Sequence, residues 1–260
     1  MLLDIKNKDK ILVIAPHPDD EVIACGGFIL KYHNQIDVLC INSSGVKYKE
    51  DILSAEEIAE IRCKEFEDVM KKAKINRYHI EKIWGVPPMI EQINKHFKEY
   101  LNHFNFKDYD YIFVPHYNDN HIEHQYVGNQ LLKRFLLKSG FKQNLKIVRY
   151  ELWSPMTKAN CYEDITDYVE EKIELINTYK SRAGANYAKR IIGLNLYRAL
   201  QVYLHDSTKY VEAYFVEDVS KFLFKIDKTK IFSIYKEVSD GTIRKVVTLF
   251  GLKIKLKEKK

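Results

Sequence analysis

The segment Pro16-His17-Pro18-Asp19-Asp20-Glu21 puts one imidazole and three carboxylates between His17 and Glu21. Carboxylates this crowded repel one another unless a cation or hydrogen bonds compensate. A bound metal ion is the simplest compensation. The plainer alternative is a solvated acidic turn that caps the next helix. The histidine, the two prolines and the apolar run before them fit a cap poorly. A second polar segment, Tyr117-Asn118-Asp119-Asn120-His121-Ile122-Glu123-His124, holds two histidines three residues apart. At the start of a helix they would share one face and could point at one site. An HxxH pair alone is weak evidence; beside the first segment, at the same edge of a sheet, it becomes strong. Together the two segments offer nitrogen and oxygen donors. Three such protein ligands with an open position are what catalytic zinc uses, and iron(II) could also occupy a set of two histidines and one carboxylate.

Both segments follow short apolar runs, Ile11–Ala15 and Tyr111–Pro115, that read as buried strands. Further strands are expected at Ile36–Ile41, Tyr78–Trp84, Ile147–Trp153 and Tyr210–Val216. Helices are expected at Phe28–Tyr32, after Gly26-Gly27, and at Ser54–Lys72, where Ser54 and Glu57 suggest a capping box. Others are expected at Ile90–Phe104, Tyr168–Tyr179 and Ala185–Tyr203. Strands alternating with helices predict an α/β, Rossmann-like three-layer fold with a mostly parallel sheet. Ligands of such sheets bind beyond the carboxyl ends of the strands, where both polar segments lie.

Composition narrows the function. Of 42 Lys/Arg and 36 Asp/Glu in 260 residues, residues 225–260 hold 11 and 4. The other 31 and 32 nearly balance, so the basic excess is confined to the tail. A nucleic-acid-binding core would need a basic face of its own, and none is expected. No run is apolar and long enough to span a bilayer, and MLLDIKNKDK carries charges where a signal peptide would be apolar. The four scattered cysteines fit reduced thiols better than disulfides. These features predict a cytoplasmic protein. A serine-histidine-aspartate hydrolase is not indicated, because no G-x-S-x-G elbow is present.

PHPDDE after a buried strand resembles the signature of the LmbE-like family, also called the PIG-L de-N-acetylases. His121-Ile122-Glu123-His124 stands where that family has an HPDH-like motif. Ile61-Arg62 with Glu65 is similar to its Arg-x-x-Glu helix, and Lys180-Ser181 to its late Lys-Ser motif. The resemblance covers roughly residues 8–217. It implies that His17, Asp20 and His124 bind zinc and that Asp19 is the general base. It further implies that His121 stabilises the oxyanion or protonates the leaving amine, that Arg62 contacts substrate and that Glu21 orients the loop from behind the ligands. Glu123 stands where the family usually has an Asp that supports the neighbouring histidine. Near Trp84–Pro88, where many members carry an Asp that contacts the sugar, this chain has prolines.

The resemblance implies a zinc-dependent hydrolase that removes an acetyl group from a GlcNAc-like amino sugar. Two alternatives are a deacetylase of low-molecular-weight thiol biosynthesis and a non-catalytic glycan-binding or assembly subunit. Residues 1–224 would form the deacetylase domain and 225–260 a basic tail. In the tail, Asp240-Gly241 suggests a hairpin turn, and alternating Lys and aliphatic residues from Leu252 to Lys257 suggest a strand. It resembles short C-terminal segments of bacterial capsule and lipooligosaccharide biosynthesis proteins. That similarity implies contact with an anionic membrane surface, a place on the inner face of the cytoplasmic membrane, and surface-glycan biosynthesis as the setting.

Overall fold

A computed structural model describes residues 2–46, 52–84, 89–181, 186–202, 207–223, 232–239, 242–249 and 252–255, the last three segments as backbone. The chain divides into two compact units, Met1–Val219 and Ser220–Lys260.

The first unit is built on a seven-stranded sheet. Its strands are β1 (Ile11–Ala15), β2 (Ile36–Cys40), β3 (Arg77–Ile80), β4 (Tyr111–Pro115), β5 (Lys146–Tyr150), β6 (Cys161–Asp164) and β7 (Val211–Asp218). They lie in the order β3-β2-β1-β4-β5-β7-β6. The pairings from β3 through β5 are parallel, and β7 runs antiparallel to both β5 and β6. The sheet is thus mostly parallel, as the alternation of elements predicts. Strand β1 is buried along its whole length, as an apolar run between two helical layers must be. The chain winds outward from β1 to β2 and β3, then crosses back to place β4 on the other side of β1. The loops after β1 and β4 therefore flank the point where the strand order reverses, the crevice in which open α/β sheets bind ligands.

The helices are α1 (Asp20–Tyr32), α2 (Ala55–Lys72), α3 (Met89–Lys95), α4 (Phe97–His103), α5 (Ile122–Tyr126), α6 (Leu132–Ser139), α7 (Val169–Thr178) and α8 (Tyr187–Leu200). Val22, Phe28, Phe66, Val69, Leu175 and Ile176 pack with Ile11 and Val13 of β1 in one core. On the other side, Phe97, Tyr100 and Phe106 meet around Phe135 of α6. Helix α2 opens with the expected capping box: the Ser54 side chain accepts from Glu57 N and the Glu57 side chain from Ser54 N.

Several elements differ from the sequence reading for local reasons. The helix expected at Phe28–Tyr32 starts at Asp20 and is broken at Cys25 (φ −127°, ψ 18°). The break frees the N–H groups of Gly27 and Phe28, and both donate to the Glu212 carboxylate at 2.9 Å. Gly26 lies under the stem of Lys172, which a Cβ would approach to 2.8 Å. The glycine pair thus marks close packing inside a helix rather than its start. The helix expected over Ile90–Phe104 is two helices that break at His96. Strand β3 stops at Ile80, while Ser43 N and Ile83 N continue the pairing irregularly by bonding to Glu81 O and the Ser43 hydroxyl. Strand β6 is short, and the sequence reading does not contain it. The prolines of the Trp84–Pro88 segment and the Asp240-Gly241 turn lie outside the described residues.

Among the described residues no helix is long and apolar enough to cross a membrane. The four cysteines are free. In the second unit, β8 (Phe232–Ser239), β9 (Thr242–Leu249) and β10 (Leu252–Lys255) form an antiparallel sheet in the order β10-β9-β8, with Ser239 paired to Thr242.

Candidate metal centre

The loop from β1 into α1 is tightly wound. Asp19, at the helix N-cap, has φ 106° and ψ −31°, a conformation that costs a non-glycine residue about 1–3 kcal/mol. Neighbours on three sides hold it. Asp19 N donates to Glu21 Oε2 at 3.1 Å, Arg62 Nη2 donates to Pro18 O at 2.7 Å, and Ile23 N donates to Asp19 O at 2.9 Å. Arg62 Nη2 also lies 3.8 Å from Asp19 Oδ2. Glu21 is fully buried and takes a second bond from the Tyr179 hydroxyl. Burial pushes its carboxyl up to about 8, against the hydrogen bond from Tyr179.

At the end of β4 the chain turns through Asp119, whose Oδ1 accepts from His121 N at 2.9 Å. This side-chain turn delivers His121 to the N-cap of α5 and His124 to its first turn. A π-helical turn, Val127–Leu131, joins α5 to α6, an irregularity common at functional sites. It brings Gly128 so close to β4 that a Cβ would lie 2.5 Å from Pro115 O.

The two loops meet in a triangle of three atoms. His17 Nδ1 lies 3.2 Å from Asp20 Oδ2, His124 Nε2 lies 3.3 Å from the same oxygen, and the two nitrogens are 3.2 Å apart. A tetrahedral ion with bonds of about 2.0–2.1 Å separates neighbouring ligand atoms by about 3.3 Å. The donors therefore fit zinc in type and spacing. A looser set, His17, His121 and His124, also brings three ring nitrogens within 4.8 Å of one another. The Asp20 set is the better ligand triangle because its edges match the tetrahedral spacing.

The remaining nitrogen of each histidine in the triangle meets a carboxylate. His17 Nε2 lies 2.7 Å from Glu123 Oε2, and His124 Nδ1 lies 3.0 Å from Asp119 Oδ1. Such outer carboxylates fix the tautomer and aim the free nitrogen at the ion. Burial alone would push the His124 imidazole down, but the Asp20 charge and the bonds to Asp119 and Asp20 outweigh it and raise its pKa to about 10. The same balance raises His17, through Asp20 and Glu123. Asp20 is held well below the usual carboxylate range: the charge of His124 and the bonds from both histidines overcome its burial. These directions follow from the carboxylates gathered around the two imidazoles. His121 is lowered instead, by burial and by the charges of His17 and His124. Its buried Nδ1 has no hydrogen-bond partner, and its ring lies 4.5 Å from that of His124.

All eight residues singled out in the sequence thus lie around the crevice, but two are placed differently from the sequence reading. Glu123 was expected to support His121; its longer side chain instead crosses to His17. Arg62 was expected to contact substrate. It is 2% exposed, and its one bonded nitrogen grips the loop from behind. Glu65, one turn along α2, accepts from Ser181 N at 2.8 Å and from its hydroxyl, so the Arg-x-x-Glu and Lys-Ser segments do meet. Asp119, which the sequence reading lacks, joins the cluster through His124, His121 and Trp153. The signal was present in an Asp two residues before a histidine, a side-chain turn that spends one carboxylate on both histidines of the pair.

Residues 12–135 match the sequence profile of the family described as PIG-L: GlcNAc-PI de-N-acetylase. Over these residues the chain is similar to that family. The matched segment runs from β1 into α6 and includes both loops of the triangle. The family description assigns de-N-acetylase chemistry, the hydrolysis of an amide. Among curated protein sequences none matches the chain. Several solved structures share this chain's fold. The N,N′-diacetylchitobiose deacetylase from Pyrococcus horikoshii, complexed with an inhibitor, is 20% identical with a TM-score of 0.64, over 81% of this chain and 84% of that one. A conserved protein from Thermus thermophilus is 18% identical with a TM-score of 0.58, over 79% and 93%. A 4-carboxy-2-hydroxymuconate hydratase from Pseudomonas putida is 15% identical with a TM-score of 0.61, over 81% and 96%. At these identities the likeness is one of fold, and the hydratase shows that this fold hosts more than one chemistry.

Proposed function

We propose that this chain is a zinc-dependent hydrolase that removes the acetyl group from a GlcNAc-like amino sugar. The observation that carries the reading is the triangle of His17 Nδ1, Asp20 Oδ2 and His124 Nε2, with edges of 3.2–3.3 Å, inside the segment similar to the PIG-L family. Those three atoms would hold the ion. When bound, zinc supplies Lewis acidity toward a water molecule and an acetyl carbonyl; iron(II) suits the same donors.

The chain's own residues do the rest. Asp19 stands in the turn between His17 and Asp20 and takes the proton from the attacking water. Its strained backbone, gripped by Glu21 and Arg62, keeps the carboxylate beside the centre and out of the ligand set. Water oxygen bonds to the acetyl carbon, and the carbonyl electrons move onto oxygen. His121 then stabilises that oxyanion or hands a proton to the departing nitrogen. The C–N bond breaks, leaving acetate and the amine. Glu123 and Asp119 hold His17 and His124 in the tautomers that this arrangement needs.

The basic excess of residues 225–260 supports a peripheral contact with an anionic membrane surface at its cytoplasmic face, and the tail's resemblance to capsule and lipooligosaccharide biosynthesis proteins supports a role in bacterial surface-glycan assembly. In this reading residues 1–224 carry the activity. Co-sedimentation of the full chain with anionic but not with neutral vesicles would support the contact; equal behaviour with both would remove it. The deciding experiment for the activity measures acetate release by the zinc-loaded chain from free, nucleotide-linked and lipid-linked N-acetylhexosamines. Release from one class, abolished by a chelator, is the expected result. Release that survives removal of the metal would overturn the zinc-dependent reading.

A further inference from the structure

Beyond the metal ligands, one side chain stands at the mouth of the centre with no role in the chemistry just described. Trp153 follows β5, the strand beside β4. Its indole lies 6.3 Å from the His124 imidazole between centroids, with the planes only 20° apart. Its other neighbour is the Tyr187 ring at the start of α8, 5.2 Å away and inclined by 48°. Trp153 is 37% exposed, while its backbone is tied by several hydrogen bonds. Trp153 N and Ser154 N donate to Asp119 Oδ2 at 3.0 and 3.3 Å. Ser154 O accepts from His116 Nε2 at 2.6 Å, and Ser154 Oγ accepts from Asn120 N at 3.0 Å.

The Asp119 carboxylate therefore has two tasks. Its Oδ1 sets His124, and its Oδ2 sets the backbone of Trp153. A single exposed apolar side chain is ordinary on any surface. An aromatic residue whose backbone is tied to the same carboxylate that meets His124, with its ring near-parallel to the His124 ring, is not. The flat apolar face beside a polar reaction centre matches a ligand that has an apolar face and a polar rim. A pyranose ring has that form: axial C–H bonds cover one face and hydroxyls line the edge.

Resting on the deacetylase reading, we propose that Trp153 is the platform for the sugar ring that bears the acetamido group. The ring lies on the indole, and its N-acetyl substituent extends toward His17, Asp20 and His124. Tyr187 backs the indole and limits where a second ring of the substrate could go. This makes Trp153 a binding residue for the pyranose ring, with no part in proton transfer.

The chain has two tryptophans, so in the Trp84→Phe variant Trp153 is the sole fluorescent indole. Titrating that zinc-loaded variant with N-acetylglucosamine and N,N′-diacetylchitobiose is expected to change its emission saturably. Steady-state kinetics of Trp153→Ala on the best sugar substrate are expected to show KM raised about tenfold or more with kcat changed less than about threefold. Zinc content should equal that of the parent, and Trp153→Phe should recover most of the KM. An unchanged KM, or a loss confined to kcat and zinc content, would overturn the platform, because it would reduce Trp153 to a prop for Asp119. Failure of the parent to release acetate from any sugar would sink the deacetylase reading alone. Saturable quenching of Trp153 would then still support the platform, and its absence would overturn it.

Discussion

Among the described residues, Glu81 and Asp20 each lie within about 3.3 Å of two histidines, and the two clusters are built differently. Beyond the end of β3, Glu81 accepts from His79 Nε2 at 2.9 Å through one oxygen and lies 2.8 Å from His96 Nδ1 through the other. Each contact is an ordinary hydrogen bond, and the two histidines use different atoms of the carboxylate. At the crevice, His17 and His124 approach the same oxygen of Asp20, at 3.2 and 3.3 Å, and each other at 3.2 Å. Those distances exceed the roughly 2.7–2.9 Å of a good charge-assisted hydrogen bond, and three atoms converge where two would suffice. The cluster at Glu81 is complete in itself, whereas the Asp20 cluster has the dimensions of a coordination shell. Composition cannot tell them apart. The distances, and the outer carboxylates Glu123 and Asp119 behind one cluster only, can.

The sharpest way to break this comparison is to remove a histidine from each cluster. His124→Ala is expected to lose bound zinc and with it all measurable deacetylation, while His96→Ala keeps the zinc stoichiometry of the parent by elemental analysis. Equal zinc content in the two variants would erase the distinction. Asp19→Asn separates ligand from base. It should retain zinc and lose about 10²–10⁴-fold in kcat, and full activity would exclude Asp19 as the base. Asp119→Asn tests the outer shell. Zinc affinity in competition with a chelator should weaken about 10–100-fold, with the fold intact by circular dichroism.

The smallest effect belongs to Glu81. Burial would raise its carboxyl, but the bonds from His79 and His96 hold it below the ordinary glutamate range. A depressed carboxylate stabilises the fold in full above its unfolded pKa, and the contribution is lost as pH falls through the lower folded value. Urea unfolding of Glu81→Gln at a series of acid pH values should therefore show a shallower loss of stability below about pH 4.3 than the parent. A parallel curve would mean that Glu81 gives no linkage.

Much of this site was legible in the sequence because its chemistry is local. Five residues from His17 to Glu21 already crowd four polar groups, and an apolar strand before them fixes where they must lie. The order of the layers followed from alternation in the same way. What the sequence hid depends on distance along the chain. Glu123 reaching His17 spans more than a hundred residues, and no spacing rule predicts it. The extent of α1 was hidden because the partners of Gly26 and Gly27 come from Lys172, Ile165 and Glu212. Read alone, two glycines signal the edge of a helix; in the fold they are the contact surface of its middle. The short β6 and the break at His96 are tertiary in the same sense. Asp119 is the exception, since its side-chain turn is local and could have been read.

The break at Cys25 has a mechanical consequence. A continuous α1 would act as one rod, and any shift of Phe28 or Ile29 in the interior would swing Asp20 at its tip. With the ladder interrupted and the second segment anchored at Gly27 and Phe28 by Glu212, the five residues Asp20–Ala24 form a separate short lever. This arrangement is expected to uncouple repacking around Phe28 from the loop that carries His17 and Asp20. Substitutions that accumulate around Phe28 should spare zinc affinity, while those around Val22 and Ile23 should not.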